Sequence, residues 1–246
     1  MVAFVVMAAI VIWMPQPKPE TPPVKTSVPT PTNLAWTDEL ITEANHGDVV
    51  RGMVLARRCE KCHGEEGFSD TGEVPNLASM DKLAFWKQLE DFRTGKRTSP
   101  IMQPVATVLT RQDESDLAAY YAMLPALPDP QDSRVKQPPP LDAETATTAS
   151  RLVTLGDGAR GIPPCQACHG PVGNLRGAPS LSTQNADYIL DQLDSFADAS
   201  RANDINLPMR TIAHQMTEQD RKAVSQYYGS GLGSMPGAAN PRWDKK

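Results

Sequence analysis

The sequence predicts an all-α chain built from two homologous units, and three observations carry that expectation. Apolar residues recur at helical spacing between proline-marked breaks, with no strand-like alternation. A train of features in the first half returns in the second at an offset of 104 to 109 residues. Each half also holds one Cys-x-x-Cys-His motif, at Cys59–His63 and Cys165–His169, and the two use every cysteine in the chain. A period this long means duplicated domains, because solenoid repeats run roughly 20–50 residues.

Residues 1–14, MVAFVVMAAIVIWM, are apolar throughout. A helix of that length reaches about 21 Å at 1.5 Å per residue, short of the roughly 30 Å hydrocarbon core. No positive stretch precedes it and no clean A-x-A site follows. It is expected to be an export signal kept as an N-terminal membrane anchor, either continuing upstream or locally thinning the bilayer. The alternative is a cleaved signal. Seven prolines between Pro15 and Pro31 make residues 15–36 an extended, semi-rigid tether.

The first unit spans 37–124. Val49–Arg58 is expected to lead as a helix into the first motif. In Asp81–Phe92, Leu83, Trp86, Leu89 and Phe92 fall at three-residue steps and form an amphipathic face. Thr110-x-x-Asp113 reads as a capping box opening a helix to Met123. Residues 125–141, rich in proline, form a linker that no helix crosses. The second unit, 142–232, repeats the plan with helices at Asp187–Phe196 and from Thr217-x-x-Asp220 to Tyr228. Its lead helix is cut short by Pro163-Pro164, and residues 233–246 form a tail.

Cys-x-x-Cys-His is the attachment pattern of a c-type haem. On a helical turn the residues at i, i+3 and i+4 share a face. Two thiols then reach the two vinyl groups of one porphyrin while the imidazole meets its iron. A zinc site would need both cysteine pairs to converge, yet roughly a hundred residues separate them. A redox dithiol would need a strand–helix setting, which the pattern lacks. The expected cofactors are two covalent haem c groups, on Cys59 and Cys62 and on Cys165 and Cys168, with His63 and His169 on the irons.

The repeat also selects the opposite iron ligands. Gly47-Asp48-x-x-Arg51-Gly52 matches Gly156-Asp157-x-x-Arg160-Gly161, Pro75 matches Pro179, and Gln88 with Arg97 matches Gln192 with Arg201. Of the ten methionines, Met102 and Met209 coincide in this register, and they follow His63 and His169 by 39 and 40 residues. Met80 aligns with Gln184 and Met216 with Leu109, so neither is reproduced. A thioether opposite imidazole suits electron transfer, and both methionines lie in proline-marked segments outside regular helix. His214, the rival in the second unit, aligns with Thr107. Arg97 and Arg201 are candidates for pairing the haem propionates.

The formal net charge is −5. Residues 37–124 hold 15 acidic and 10 basic side chains, against 11 and 10 in residues 142–246. No basic stripe is present, so no nucleic-acid partner is expected. Units this small bury only modest cores, and folding is expected to depend on the haem.

With GDVVRG, CEKCHG, VPNLA and LTRQDESDLAAYYA in the first half and GDGARGIPPCQACHG, PSL, YILDQLDSF and MTEQD in the second, residues 45–229 resemble the cytochrome c4 family. The resemblance implies two tandem class I cytochrome c domains, each wrapped around one covalent haem, with the haems facing each other across the domain interface. It implies His63/Met102 and His169/Met209 ligation, and carbonyls of Pro75 and Pro179 holding the histidine ring N–H groups. The second unit departs from the pattern: it lacks the Arg-x-Gly of Arg93–Gly95, and Met209 follows a short insertion.

The implied function is a carrier of single electrons, not an enzyme. It would work on the periplasmic side of the bacterial inner membrane, anchored through residues 1–14 or soluble after cleavage, between a quinol-oxidising complex and a terminal oxidase. An alternative is a dedicated cytochrome subunit of a dehydrogenase, as in flavocytochrome c sulfide dehydrogenase. A haem enzyme would need an open iron site, which paired methionines argue against.

Overall fold

Side-chain caps set where six of the described α-helices begin. The structure, a computed structural model, describes residues 36–126, 141–170, 175–182 and 184–230. The expected anchor 1–14, nearly all of the tether and linker, and the tail 233–246 lie outside the described residues. Thr37 opens α1 (Asp38–Asn45), and Asp48 opens α2 (Val49–Ala56) by accepting the Arg51 N–H at 2.9 Å. The first haem motif forms its own turn, α3 (Glu60–His63). Asp81 caps α4 (Lys82–Arg93); α5 (Met102–Thr107) follows, and the expected Thr110/Asp113 capping box opens α6 (Arg111–Met123).

In the second half Asp142 caps α7 (Ala143–Thr154), and the second motif forms α8 (Gln166–His169). Then come α9 (Ala186–Ala197), α10 (Pro208–Gln215) and α11 (Glu218–Gly229), the last opened by the Thr217/Asp220 box. Among the described residues the only extended pairing is an isolated bridge between Asp157 and Ile162. The chain is all-α. No described helix is long and apolar enough to cross a membrane.

Each half buries its own cluster. In the first, α6 lies across α2 and packs on α4, enclosing Trp86 and Tyr121, both 0% exposed. The approach of α2 to α6 is close enough that a Cβ on Gly52 would lie 2.0 Å from the Asp116 carbonyl oxygen, which explains a glycine there. In the second, α11 packs on α7 and α9 around Leu152, Leu193, Phe196 and Tyr228.

Among the described residues the halves differ at the lead helix. The segment matching α2 is a single 3-10 turn, Gly158–Arg160, because Pro163-Pro164 follow at once and have no N–H to continue a helix. The upstream helix α7 takes the place of α2 against α11, burying Ala149, Leu152 and Val153.

The repeated arginine adapts to this. Arg51 forks onto Asp116, Nε to Oδ2 at 2.7 Å and Nη2 to Oδ1 at 3.0 Å. Arg160 reaches Asp220 instead, Nη1 to Oδ2 at 2.5 Å, one turn nearer the start of the helix. This duplicated motif is a structural clamp.

Candidate functional site

Both haem motifs present the same local geometry. Cys59 and Cys165 stand at the N-caps of α3 and α8, and the histidines end those helices. The first cysteine of each pair is half-buried. Burial pushes the Cys165 thiol up to about 11 and raises Cys59 as well. His63 is 7% exposed. Its Nδ1 lies 2.8 Å from the Pro75 carbonyl oxygen, and His169 Nδ1 lies 2.8 Å from that of Pro179. A carbonyl only accepts, so each Nδ1 carries the proton and each Nε2 keeps its lone pair for a metal. Burial holds both imidazoles below the ordinary histidine range, against the pull of those carbonyls. Both rings are neutral near pH 7, the state a ligand requires.

In the second half these groups surround a cavity of about 230 Å³. Cys165, Cys168 and His169 form one wall, Ile189, Leu193 and Phe196 of α9 another, and Met209 with Ile212 of α10 a third. Met209 is the second residue of a regular helix whose first is Pro208, a position where proline's missing N–H costs nothing. Met102 likewise begins α5, its N–H donated to the Ser99 hydroxyl at 3.1 Å. The proline segments therefore start short helices, where the sequence predicts irregular loops. Two left-handed residues, Asn206 and Leu207, turn the chain into α10, and a buried pair fixes the turn: Arg210 Nε donates to Asp204 Oδ1 at 2.6 Å. Met216 and Met80 also line this cavity, whereas His214 is exposed and does not.

The cavity opens onto the interface between the halves, where Arg97 and Arg201 meet in a pseudo-symmetric knot. Arg97 donates to Gln88 at 2.8 Å and Gln192 at 2.7 Å, and Arg201 to Gln192 at 2.6 Å and Gln88 at 2.9 Å. Each guanidinium also covers its own phenylalanine, Phe92 or Phe196. Burial and the neighbouring Arg97 charge pull Arg201 down to about 9. Lys87, paired with Asp91, donates to the Asn203 carbonyl at 2.6 Å from the other half. The cavity is thus mainly cationic in its polar lining: Lys87, Arg97, Arg176 and Arg201 stand against one carboxylate, Asp204, which is paired with Arg210.

These residues fit a covalent haem. Paired thiols, a neutral imidazole aimed by a carbonyl, a thioether across the cavity and apolar walls match the iron and macrocycle, and the cationic lining suits the propionates. The Tyr228 hydroxyl, buried near Cys165, finds no partner among the described residues. The sequence misses the interface roles of Gln88, Gln192, Lys87 and Tyr188, whose hydroxyl accepts from Arg97 Nη2 at 2.9 Å; the repetition of Gln88 and Gln192 at a constant offset is the available signal.

No protein-family model matches the chain. It is 40% identical over 186 residues to the cytochrome c4 of Thiocapsa roseopersicina, covering 74% of this chain and 91% of that one. It is 37% identical over 180 residues to a thiosulfate dehydrogenase electron acceptor of Stutzerimonas stutzeri (strain A1501), covering 71% and 79%. The fold superposes on the crystal structure of reduced recombinant cytochrome c4 from Pseudomonas stutzeri with a TM-score of 0.65 and 30% identity, covering 75% of this chain and 98% of that one. Identity of this depth along nearly the whole of a cytochrome c4 settles what the duplicated motifs point to: the chain belongs to the cytochrome c4 family, carries two covalent haems and transfers electrons without transforming a substrate.

Proposed function

We propose that the protein holds a His/Met haem in each half, His63 with Met102 and His169 with Met209, attached through Cys59 and Cys62 and through Cys165 and Cys168. The observation that carries this reading is the matched pair of 2.8 Å contacts from the histidine Nδ1 atoms to Pro75 and Pro179. Bound haem supplies a one-electron couple, and the chain's work is to hold and tune it. With His63 and Met102 on one iron and His169 and Met209 on the other, no position would stay open to a small oxidant. The proline carbonyls fix each imidazole's tautomer and orientation. Arg97 and Arg201 would offset the propionate charge at the interface. The units divide at 37–124 and 142–232, joined by 125–141.

The working reading is a periplasmic shuttle between a quinol-oxidising complex and a terminal oxidase, anchored through residues 1–14 on the tether 15–36. The second reading is a dedicated electron acceptor for a dehydrogenase, favoured by the 37% identity to a thiosulfate dehydrogenase electron acceptor. Stopped-flow reduction separates the two. The purified protein is mixed with thiosulfate and thiosulfate dehydrogenase, or with quinol and membranes holding the quinol-oxidising complex. Faster reduction by the membranes supports the shuttle. Faster reduction by the dehydrogenase replaces it with the second reading.

A further inference from the structure

The stretch that carries Pro75 is held by the other half of the molecule. Gln184, 7% exposed, closes a two-way bond on the Asn76 backbone: the Asn76 N–H donates to Oε1 at 2.8 Å, and Nε2 donates to the Asn76 carbonyl at 2.9 Å. Asn185 stands at the N-cap of α9, where such a side chain ordinarily accepts the N–H of the third helical residue. It makes no such bond. The Gly72 carbonyl takes that N–H, from Tyr188, at 3.0 Å. The Asn185 amide is released to donate to the Val74 carbonyl at 2.6 Å and the Thr71 carbonyl at 3.0 Å. A Cβ on Gly72 would lie 2.3 Å from the Asp187 carboxylate, so a side chain there would displace that exposed carboxylate. Residues 71–76 thus cap α9, and the start of α9 holds residues 71–76 in return.

We infer that Gln184 and Asn185 are positioning residues for the iron ligand of the first haem: by fixing the Pro75 carbonyl against His63 Nδ1, they let docking of the second half set the first haem's potential. The inference rests on the assignment of His63 as that ligand. An N–H donated to a well-placed acceptor makes imidazole a stronger donor to iron and favours the ferric state, and such bonds weaken steeply as alignment is lost. Among the described residues the Gln184 and Asn185 bonds have no counterpart from Met80 and Asp81. The matching positions in the first half are Met80, whose thioether cannot donate a hydrogen bond, and Asp81, whose carboxylate is engaged by the Ala84 N–H at 3.0 Å.

The test uses the full haem-loaded chain with two variants, Gln184→Met, which keeps the volume, and Asn185→Ala. In the reduced protein each should speed solvent exchange of the His63 ring N–H, followed by NMR, by about tenfold, while the His169 ring N–H is unchanged. Electron partition between the haems should shift towards the first by up to about tenfold, 59 mV for a one-electron couple. Gln184→Glu keeps the acceptor for the Asn76 N–H but sets a carboxylate oxygen, which cannot donate, against the Asn76 carbonyl, and should move both readouts in the same direction as Gln184→Met. Unchanged exchange and partition in both variants, with intact ligation spectra, would overturn the inference and leave the ligand assignment standing. If the first haem's ligation spectrum survives His63→Gln, the assignment falls and the inference with it.

Discussion

At the scale of single residues, four methionines compete for two irons. Met102 and Met209 each begin or nearly begin a short helix facing the core, while Met80 and Met216 touch the second cavity without recurring in the repeat. Met209→His should lower the second haem's potential by a sizeable fraction of the roughly 0.8 V that axial ligand choice spans, because imidazole stabilises ferric iron more than a thioether does. Met216→Leu conserves volume, should cost under about 1.5 kcal/mol, and should keep both Met–iron charge-transfer bands. Loss of a band in that variant shows that the repeat selects the wrong residue. A second prediction concerns Glu114, 0% exposed beside Arg93. Burial first, and then the Glu90 charge, push its carboxyl up to about 8, beyond what Arg93 offsets. The folded state therefore binds this proton more tightly than the unfolded state. The stability it contributes is complete below about 4.5 and is lost as pH rises through about 8. Denaturant midpoints should fall between pH 5 and pH 9, and Glu114→Gln should flatten that fall. The cysteines and histidines were legible because covalent attachment fixes their spacing. The roles of Gln184 and Asn185 were not, because their partners lie 108 to 114 residues away in the chain.

At the scale of elements, the capping boxes were plain in the sequence, since Thr-x-x-Asp satisfies the first N–H groups by itself. The shortening of the second lead helix was plain too, from Pro163-Pro164; that α7 covers α11 in its place was not. The duplicated Gly-Asp-x-x-Arg-Gly invites the same helix in both halves, and only the two prolines after Ile162 forbid it. This exchange makes Asp220 serve twice: it accepts the Thr217 N–H at 2.9 Å and the Arg160 guanidinium at 2.5 Å. In the first half the duties are divided between Asp113, which accepts the Thr110 N–H at 2.8 Å, and Asp116, which takes Arg51. Asp113→Ala should therefore cost about 1 kcal/mol, the usual loss for a cap. Asp220→Ala should cost distinctly more, as denaturant unfolding of the two haem-loaded variants would show; equal losses would remove the double role. Gly52→Ala should destabilise by about 1–3 kcal/mol through overpacking of α2 on α6.

At the scale of the whole molecule, duplication makes two sites and the interface makes them unequal. The Gln88, Gln192, Arg97 and Arg201 knot is nearly symmetric, whereas Lys87 with Asp91 comes from the first half alone, opposite Asp191 and Ser195 in the repeat. The proposed tether adds a prediction of reach. If the seventeen residues from Pro15 to Pro31 extend as proposed, at roughly 3 Å each they would reach about 50 Å and raise the effective concentration at the membrane towards the millimolar range. A version beginning near Asn33 should turn over more slowly than the full chain at limiting concentration, with excess protein restoring the rate; equal rates leave residues 1–36 as an export device. The central claim is that each half holds one haem saturated by its own histidine and methionine. Near-infrared magnetic circular dichroism of the oxidised protein, with haem quantified per chain, tests it most directly. The account predicts two low-spin His/Met haems per chain; a high-spin haem, a haem ligated by two histidines, or a single haem per chain would contradict it.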